Sequence, residues 1–189
     1  MTATAAPVEA LIIVDVQKAG VTGADAVPAA AQLLERVAGL LDRARRAGAV
    51  VVHLQNDGKP GSADAPGTPG WELYLPVVGR PREFVIRKPH GDGFAETELG
   101  HVLVGAGVTS LAICGVMSDM CVAATARTAA ARGFRVVLPH DAHATQDIPA
   151  VPWRDEIVSA AVAARAAEWA LSNEVDITPE AADVAFAAT

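Results

Sequence analysis

The stretch LAICGVMSDMCVAATARTAAARGFRVV, residues 111–137, decides the fold. It opens on a short apolar run, turns through Gly115 and the segment VMSDM, continues as an Ala-rich helical pattern, and returns to β-branched residues after Gly133. Strand, helix and strand in that order, on short connections, make the crossover unit of a parallel sheet. Strands are expected at 110–115 and 135–139, with a helix at 119–132 that Gly133 stops.

Working outward, the same alternation repeats. Residues 10–16 (ALIIVDV), 50–54, 83–88 (EFVIRK) and 174–178 (EVDIT) read as further strands. Near-continuous apolar strands of this kind are buried on both faces. Between them, residues 28–47 place Leu33, Leu34, Val37, Leu40, Leu41 and Ala44 on one helical stripe. Pro28 suits the first turn of that helix and Gly48 its end. Residues 95–106 and 153–171 are the other helical patterns. The alternation predicts an α/β fold. No internal repeat or domain boundary is visible, so residues 1–189 are expected to form a single domain with its core at about 10–178. One segment breaks the rhythm: residues 55–82 are rich in Gly and Pro, and a loop this long is usually a lid, an interface or a functional element. Residues 179–189 are expected to be a surface helix or a frayed tail.

Composition narrows the function. The chain has 189 residues, 51% of them hydrophobic, with a formal net charge of −7. A mildly acidic surface argues against nucleic acid as the main partner. The short cluster Arg43, Arg45 and Arg46 reads as the solvated C-terminal end of a helix, where cations suit the dipole. No apolar run reaches the roughly 20 residues of a membrane span, so no membrane partner is expected. MTATAAPVEA lacks the basic-then-apolar layout of a signal peptide. The two cysteines, Cys114 and Cys121, form no CxxC pair, and nothing has zinc-ligand spacing. A reducing, cytoplasmic location follows as the expectation, as does a site with no metal.

Ligands of open α/β sheets bind at the carboxyl ends of the strands. Three reactive side chains fall there. Asp15 ends the first strand inside LIIVDVQ, where an unpartnered charge would be costly. Lys88 closes the third strand. Cys121 follows the fourth, at or near a helix start, where unpaired N–H groups and the helix dipole favour a thiolate and could hold an oxyanion. Asp119 is a candidate cap for that helix. Cys114, inside the apolar strand, reads as packing.

The order Asp, Lys, Cys at three strand ends resembles the isochorismatase-like cysteine hydrolases, a superfamily that includes nicotinamidases and N-carbamoyl amide hydrolases. Four stretches carry the resemblance: LIIVDVQ with Asp15; FVIRKPHGDGFAETEL with Lys88, Phe94 and Thr97; LAICGVMSDMCVAATARTAAARGFRVV with Cys121; and LPHDAHAT with Asp141 and His143. It implies a three-layer Rossmann-like fold with a six-stranded parallel sheet of order 3-2-1-4-5-6 and helices on both faces. It implies Asp15, Lys88 and Cys121 as the catalytic set, and a cis peptide between Val116 and Met117 that aims the N–H of Met117, beside that of Cys121, into an oxyanion hole. Gln17, Trp71, His90 and Phe94 become candidate substrate contacts, Trp71 alternatively packing on a second subunit. No cofactor is expected, a small molecule is the expected substrate, and a homodimer or homotetramer the expected assembly.

The departures are informative. After Gln17 the chain reads Lys18, Ala19, Gly20, not the Asn-Asp-Phe common in the superfamily. HLQNDGKPG, with His53 and Asp57, does not reproduce the Asp-x-His metal motif of nicotinamidases, and His53 reads as a hydrogen-bonded residue at a strand end. His140 and His143 read as structural, in a turn where Asp and Thr satisfy the local backbone. The resulting expectation is a thiol hydrolase cleaving a C–N bond of a small amide through a thioester. The alternatives are a vinyl ether hydrolase in which Asp15 protonates substrate, and a silent binding or scaffold member.

Overall fold

The computed structural model describes residues 6–188. The leader reading of residues 1–5 and the final Thr189 of the expected domain and tail lie outside the described residues. Seven strands form one sheet: β1 (Ala10–Val14), β2 (Val50–Asn56), β3 (Glu83–Lys88), β4 (Ser110–Val116), β5 (Arg135–Pro139), β6 (His143–Ala144) and β7 (Asp176–Thr178). The order is β3-β2-β1-β4-β5-β7, and every pairing is parallel. This is the expected 3-2-1-4-5-6 path with one addition. β5 pairs with β4 only at Ser110, Leu111 and Ala112; after the turn His140–Ala142, the two residues of β6 resume the ladder opposite Gly115 and Val116.

Among the described residues, five α-helices cover the sheet: α1 (Lys18–Val21), α2 (Ala30–Ala47), α3 (Leu99–Gly105), α4 (Ala123–Ala131) and α5 (Ala160–Leu171). The period-2 alternation of β1 divides the core. Leu11 and Ile13 pack with the α2 stripe of Leu33, Val37, Leu40, Leu41 and Ala44. Ile12 and Val14 pack on the other face with Leu99 and Leu103 of α3 and Ala126 and Ala129 of α4. Each aliphatic chain buried in this way stabilises the fold by about 1.5–3 kcal/mol. Gly115 is required where β4 meets β1: its φ is +121°, and a Cβ there would stand 2.0 Å from the carbonyl oxygen of Val14.

Several boundaries differ from expectation because local hydrogen bonds outcompete helix. α5 begins at Ala160, not 153, since the Ser159 side chain caps the N–H of Val162 and Asp147 accepts from Ala160 N. The residues before it form isolated bridges, Ile148 with Val158 and Val151 with Arg154. α3 begins at Leu99, not 95; Glu96 has a left-handed φ of 55° and Thr97 binds back to Gly93. The tail is packed, not frayed: Ala181 and Val184 are buried, and Phe186 bridges to Val8. The arginine cluster is not uniformly solvated. Arg46 is exposed and pairs with Asp42, while Arg45 pairs with buried Glu83 and Arg43 reaches the carbonyl of Ala181. Asp141 serves distant partners instead of its own turn, forming an ion pair with Arg36 at 2.9 Å and accepting from Ala181 N.

Candidate active site

The parallel sheet brings the ends of β1, β2, β3 and β4 to one edge. Asp15 follows β1 with φ of 51°, a backbone state uncommon outside glycine but tolerated by aspartate. Its N–H still bonds to Leu54 O at 3.1 Å, so the chain bends at the edge of the ladder and keeps its pairing. Lys88 ends β3 with no solvent exposure. Its Nζ is 2.8 Å from Asp15 Oδ2, 3.2 Å from Asn56 Oδ1 and 3.0 Å from His90 O. Three acceptors for three N–H donors give the buried side chain the partners that burial demands.

Cys121 lies in a wide π-type turn, Ser118–Val122, between β4 and α4. Asp119 does not cap the helix; its Oδ1 accepts from Thr145 Oγ1 at 2.5 Å. The Val116–Met117 peptide bond is cis. Burial and the neighbouring Asp15 charge push the Cys121 thiol up to about 11, against the opposing pull of Lys88. The sequence expectation of a favoured thiolate is thus corrected: burial and a carboxylate neighbour outweigh the helix start. Burial also raises Asp15 above the ordinary carboxylate range, although Lys88 pulls it down. Its Oδ1 is buried and accepts no hydrogen bond among the described residues. The resting arrangement is a thiol beside a carboxylate of heightened basicity, whose second oxygen is free to receive a proton.

These groups open on a cavity of about 260 Å³. Asp15, Gln17, Asn56, Asp64, Met117, Met120 and Cys121 are among its lining residues. Gln17 lines it, yet both ends of its amide are used: Oε1 accepts from Asn56 N at 2.8 Å, and Nε2 donates to Asn56 O at 3.1 Å and Trp71 O at 2.8 Å. The other three expected substrate contacts stand outside the lining. The Trp71 indole donates to Asp57 at 3.0 Å and lies under the Arg87 guanidinium, so it pins the long loop. The His90 ring turns outward to Glu96 at 3.2 Å, and only its carbonyl serves the site, on Lys88. Phe94 is buried in the core against Phe134 and Arg132. His53 is buried and hydrogen-bonded to Glu83 at 3.0 Å.

Sequence reasoning missed Asn56 and Asp64. Asn56 ends β2 at the same edge as Asp15 and Lys88, so the strand-end rule could have found it. It accepts from Lys88 through Oδ1 and donates to Asp64 Oδ2 at 2.8 Å through Nδ2. Asp64 sits in the loop, where nothing in the sequence marks it. Against the effect of burial, hydrogen bonds from Ser62 and Asn56 hold its carboxyl below the usual range. Gly58 makes room for it, since a Cβ there would lie 2.0 Å from Asp64 Oδ1. A second hollow, about 490 Å³ between the starts of α2 and α5, contains neither cysteine nor any of Asp15, Lys88 and Cys121.

The isochorismatase domain family matches residues 9–170. A streptothricin hydrolase of Streptomyces noursei is 66% identical over 181 residues, which is 96% of this chain and 66% of that protein. The chain therefore spans just under two thirds of that relative's length. A ureidoacrylate amidohydrolase of Methylorubrum extorquens is 29% identical over 171 residues, covering 70% of this chain and 68% of that protein. Among solved structures, an isochorismatase from Pseudomonas putida KT2440 superposes with a TM-score of 0.83 at 30% identity, covering 93% of this chain and 90% of that one.

Proposed function

The chain belongs to the isochorismatase family, and on that premise we propose that it is a cysteine-dependent hydrolase of a small amide-type C–N bond, acting through a thioester. The observation that carries this reading is the meeting of Cys121 and Asp15 on one cavity, with the buried Lys88 paired to Asp15 behind it. Asp15 takes the thiol proton as Cys121 Sγ attacks the carbonyl carbon. Lys88 keeps the carboxylate placed and offsets the charge that moves. The N–H groups of Met117 and Cys121 receive the oxyanion. Asp15 then returns the proton to the leaving nitrogen as the C–N bond breaks. Water, deprotonated by Asp15, attacks the thioester, and the released thiol regains its proton.

The high identity to a streptothricin hydrolase supports streptothricin as the first substrate to test; the likeness to an amidohydrolase supports the C–N class more broadly. Incubation of the purified chain with streptothricin, followed by mass spectrometry, is expected to show the gain of one water. The Cys121→Ala protein is expected to leave the substrate intact. Full activity in Cys121→Ser would overturn the thiol route and favour acid catalysis by Asp15. The same reading includes a homodimer or homotetramer in the cytoplasm. Support for the oligomer is the exposed apolar series Trp153, Ile157, Val162 and Trp169, and sedimentation velocity tests it.

A further inference from the structure

Behind the turn that carries Cys121 runs a second, buried chain of polar side chains. Ser118, the first residue of that turn, is 1% exposed, and its Oγ lies 2.8 Å from His143 Nδ1. The other ring nitrogen, Nε2, lies 3.1 Å from Glu168 Oε1 on α5. Glu168 is 2% exposed and also faces His140 Nδ1 and, at 3.6 Å, Arg165. Against the effect of burial, hydrogen bonds from His143 and His140 hold its carboxyl below the usual range, so it is an acceptor. His143 Nε2–H therefore donates to Glu168, and Nδ1 faces the Ser118 hydroxyl. Two residues on, Thr145 donates to Asp119. Residues 143–145 therefore grip residues 118 and 119 by side chains, while the β6 backbone pairs with Gly115 and Val116.

Serine, histidine and glutamate in series have the composition of a nucleophilic triad. Ser118 cannot act as one here, because it is sealed from solvent and is not among the residues lining the cavity. It is itself the first residue of the turn that holds Cys121 and follows Met117 directly. Misplacement of a reacting group by about 1 Å costs on the order of 10²-fold in rate, and such positioning depends on supporting hydrogen bonds. We propose that His143, oriented by Glu168, is a positioning residue that holds the Ser118–Val122 turn so that the Cys121 thiol and the Met117 and Cys121 amides face the cavity.

The inference rests on the thiol reading above, and its test separates the two. Ser118→Ala removes the bond with the smallest change of shape. Its kcat is expected to fall about tenfold with KM within about twofold, while the melting transition stays cooperative. The rate of Cys121 alkylation by iodoacetamide, which needs no substrate, is expected to change severalfold at fixed pH. Glu168→Leu is expected to repeat both effects, and Glu168→Gln, which keeps an acceptor for Nε2–H, to recover much of the loss. Folded Ser118→Ala protein with kcat and alkylation rate both within about twofold of the parent overturns the proposal, and so do equal losses in the two Glu168 variants. If no hydrolysis is found in the parent, the alkylation arm decides alone.

Discussion

The middle of β4 and the turn that follows it hold the same kind of side chain in two different circumstances. Cys114 is fully buried in the apolar core, and burial alone pushes its thiol far above the ordinary range. Among the described residues its thiol makes one polar contact, a weak one at 3.7 Å to the carbonyl of Ile12. Cys121, seven residues later, is only partly buried and sits within the field of Asp15 and Lys88. Both thiols are raised, so the height of the pKa does not distinguish them. The difference is that Cys121 has a base beside it and a cavity in front of it.

The sharpest way to break this contrast is to exchange the losses. Cys121→Ala is expected to lower kcat/KM by at least about 10³-fold, whereas Cys114→Ala should leave it near the parent value; steady-state kinetics on one substrate checks both. Asp15→Asn is expected to cost about 10²–10⁴-fold in kcat, because the carboxylate that takes the thiol proton is gone. Next comes Gly115, the hinge between the two regions. Gly115→Ala is expected to destabilise by about 1–3 kcal/mol or more, since it combines a positive φ with a backbone clash, read as a lower urea midpoint. Cys114→Ala should cost about 1 kcal/mol by the same measurement, through lost packing alone.

A pH profile sharpens the comparison more gently. The reactive form needs Asp15 ionised, and its pKa is raised above the ordinary aspartate value near 3.9. Activity is therefore present above that raised value and lost as pH falls through it, so the acid limb of kcat/KM should lie above the range of an exposed aspartate. Lys88 pulls the Asp15 pKa down, so the residual activity of Lys88→Met should show its acid limb at still higher pH. A limb unmoved by that substitution would argue that another group sets it.

Much of this was legible in advance because it depends on short-range pattern. β1 and β4, which lead to Asp15 and Cys121, are buried along their whole length, whereas the edge strand β3 that ends at Lys88 alternates, with Val85 and Arg87 exposed; a parallel sheet gathers all three carboxyl ends at one edge. That logic extends to Asn56, which was overlooked because its strand was ended two residues early. It does not extend to Asp64, whose place depends on the fold of a loop. Trp71, His90 and Phe94 stand outside the cavity lining for a related reason. Sequence position brings each near the site, but Asp57 with Arg87, Glu96, and Phe134 with Arg132 claim their side chains.

The sequence by itself determined the α/β alternation, the order of the strands that a family resemblance supplied, and the three residues at their ends. Periodicity and strand termini are properties of neighbours along the chain. Only the tertiary structure decided that Lys88 is sealed and triply bonded, that Asp15 and Cys121 both titrate high, and that His143 reaches the turn carrying Cys121 instead of satisfying its own. Those outcomes depend on burial and on partners mostly far apart in the chain, from 25 residues for Ser118 and His143 to 106 for Asp15 and Cys121, and local sequence does not encode which side chains desolvate one another.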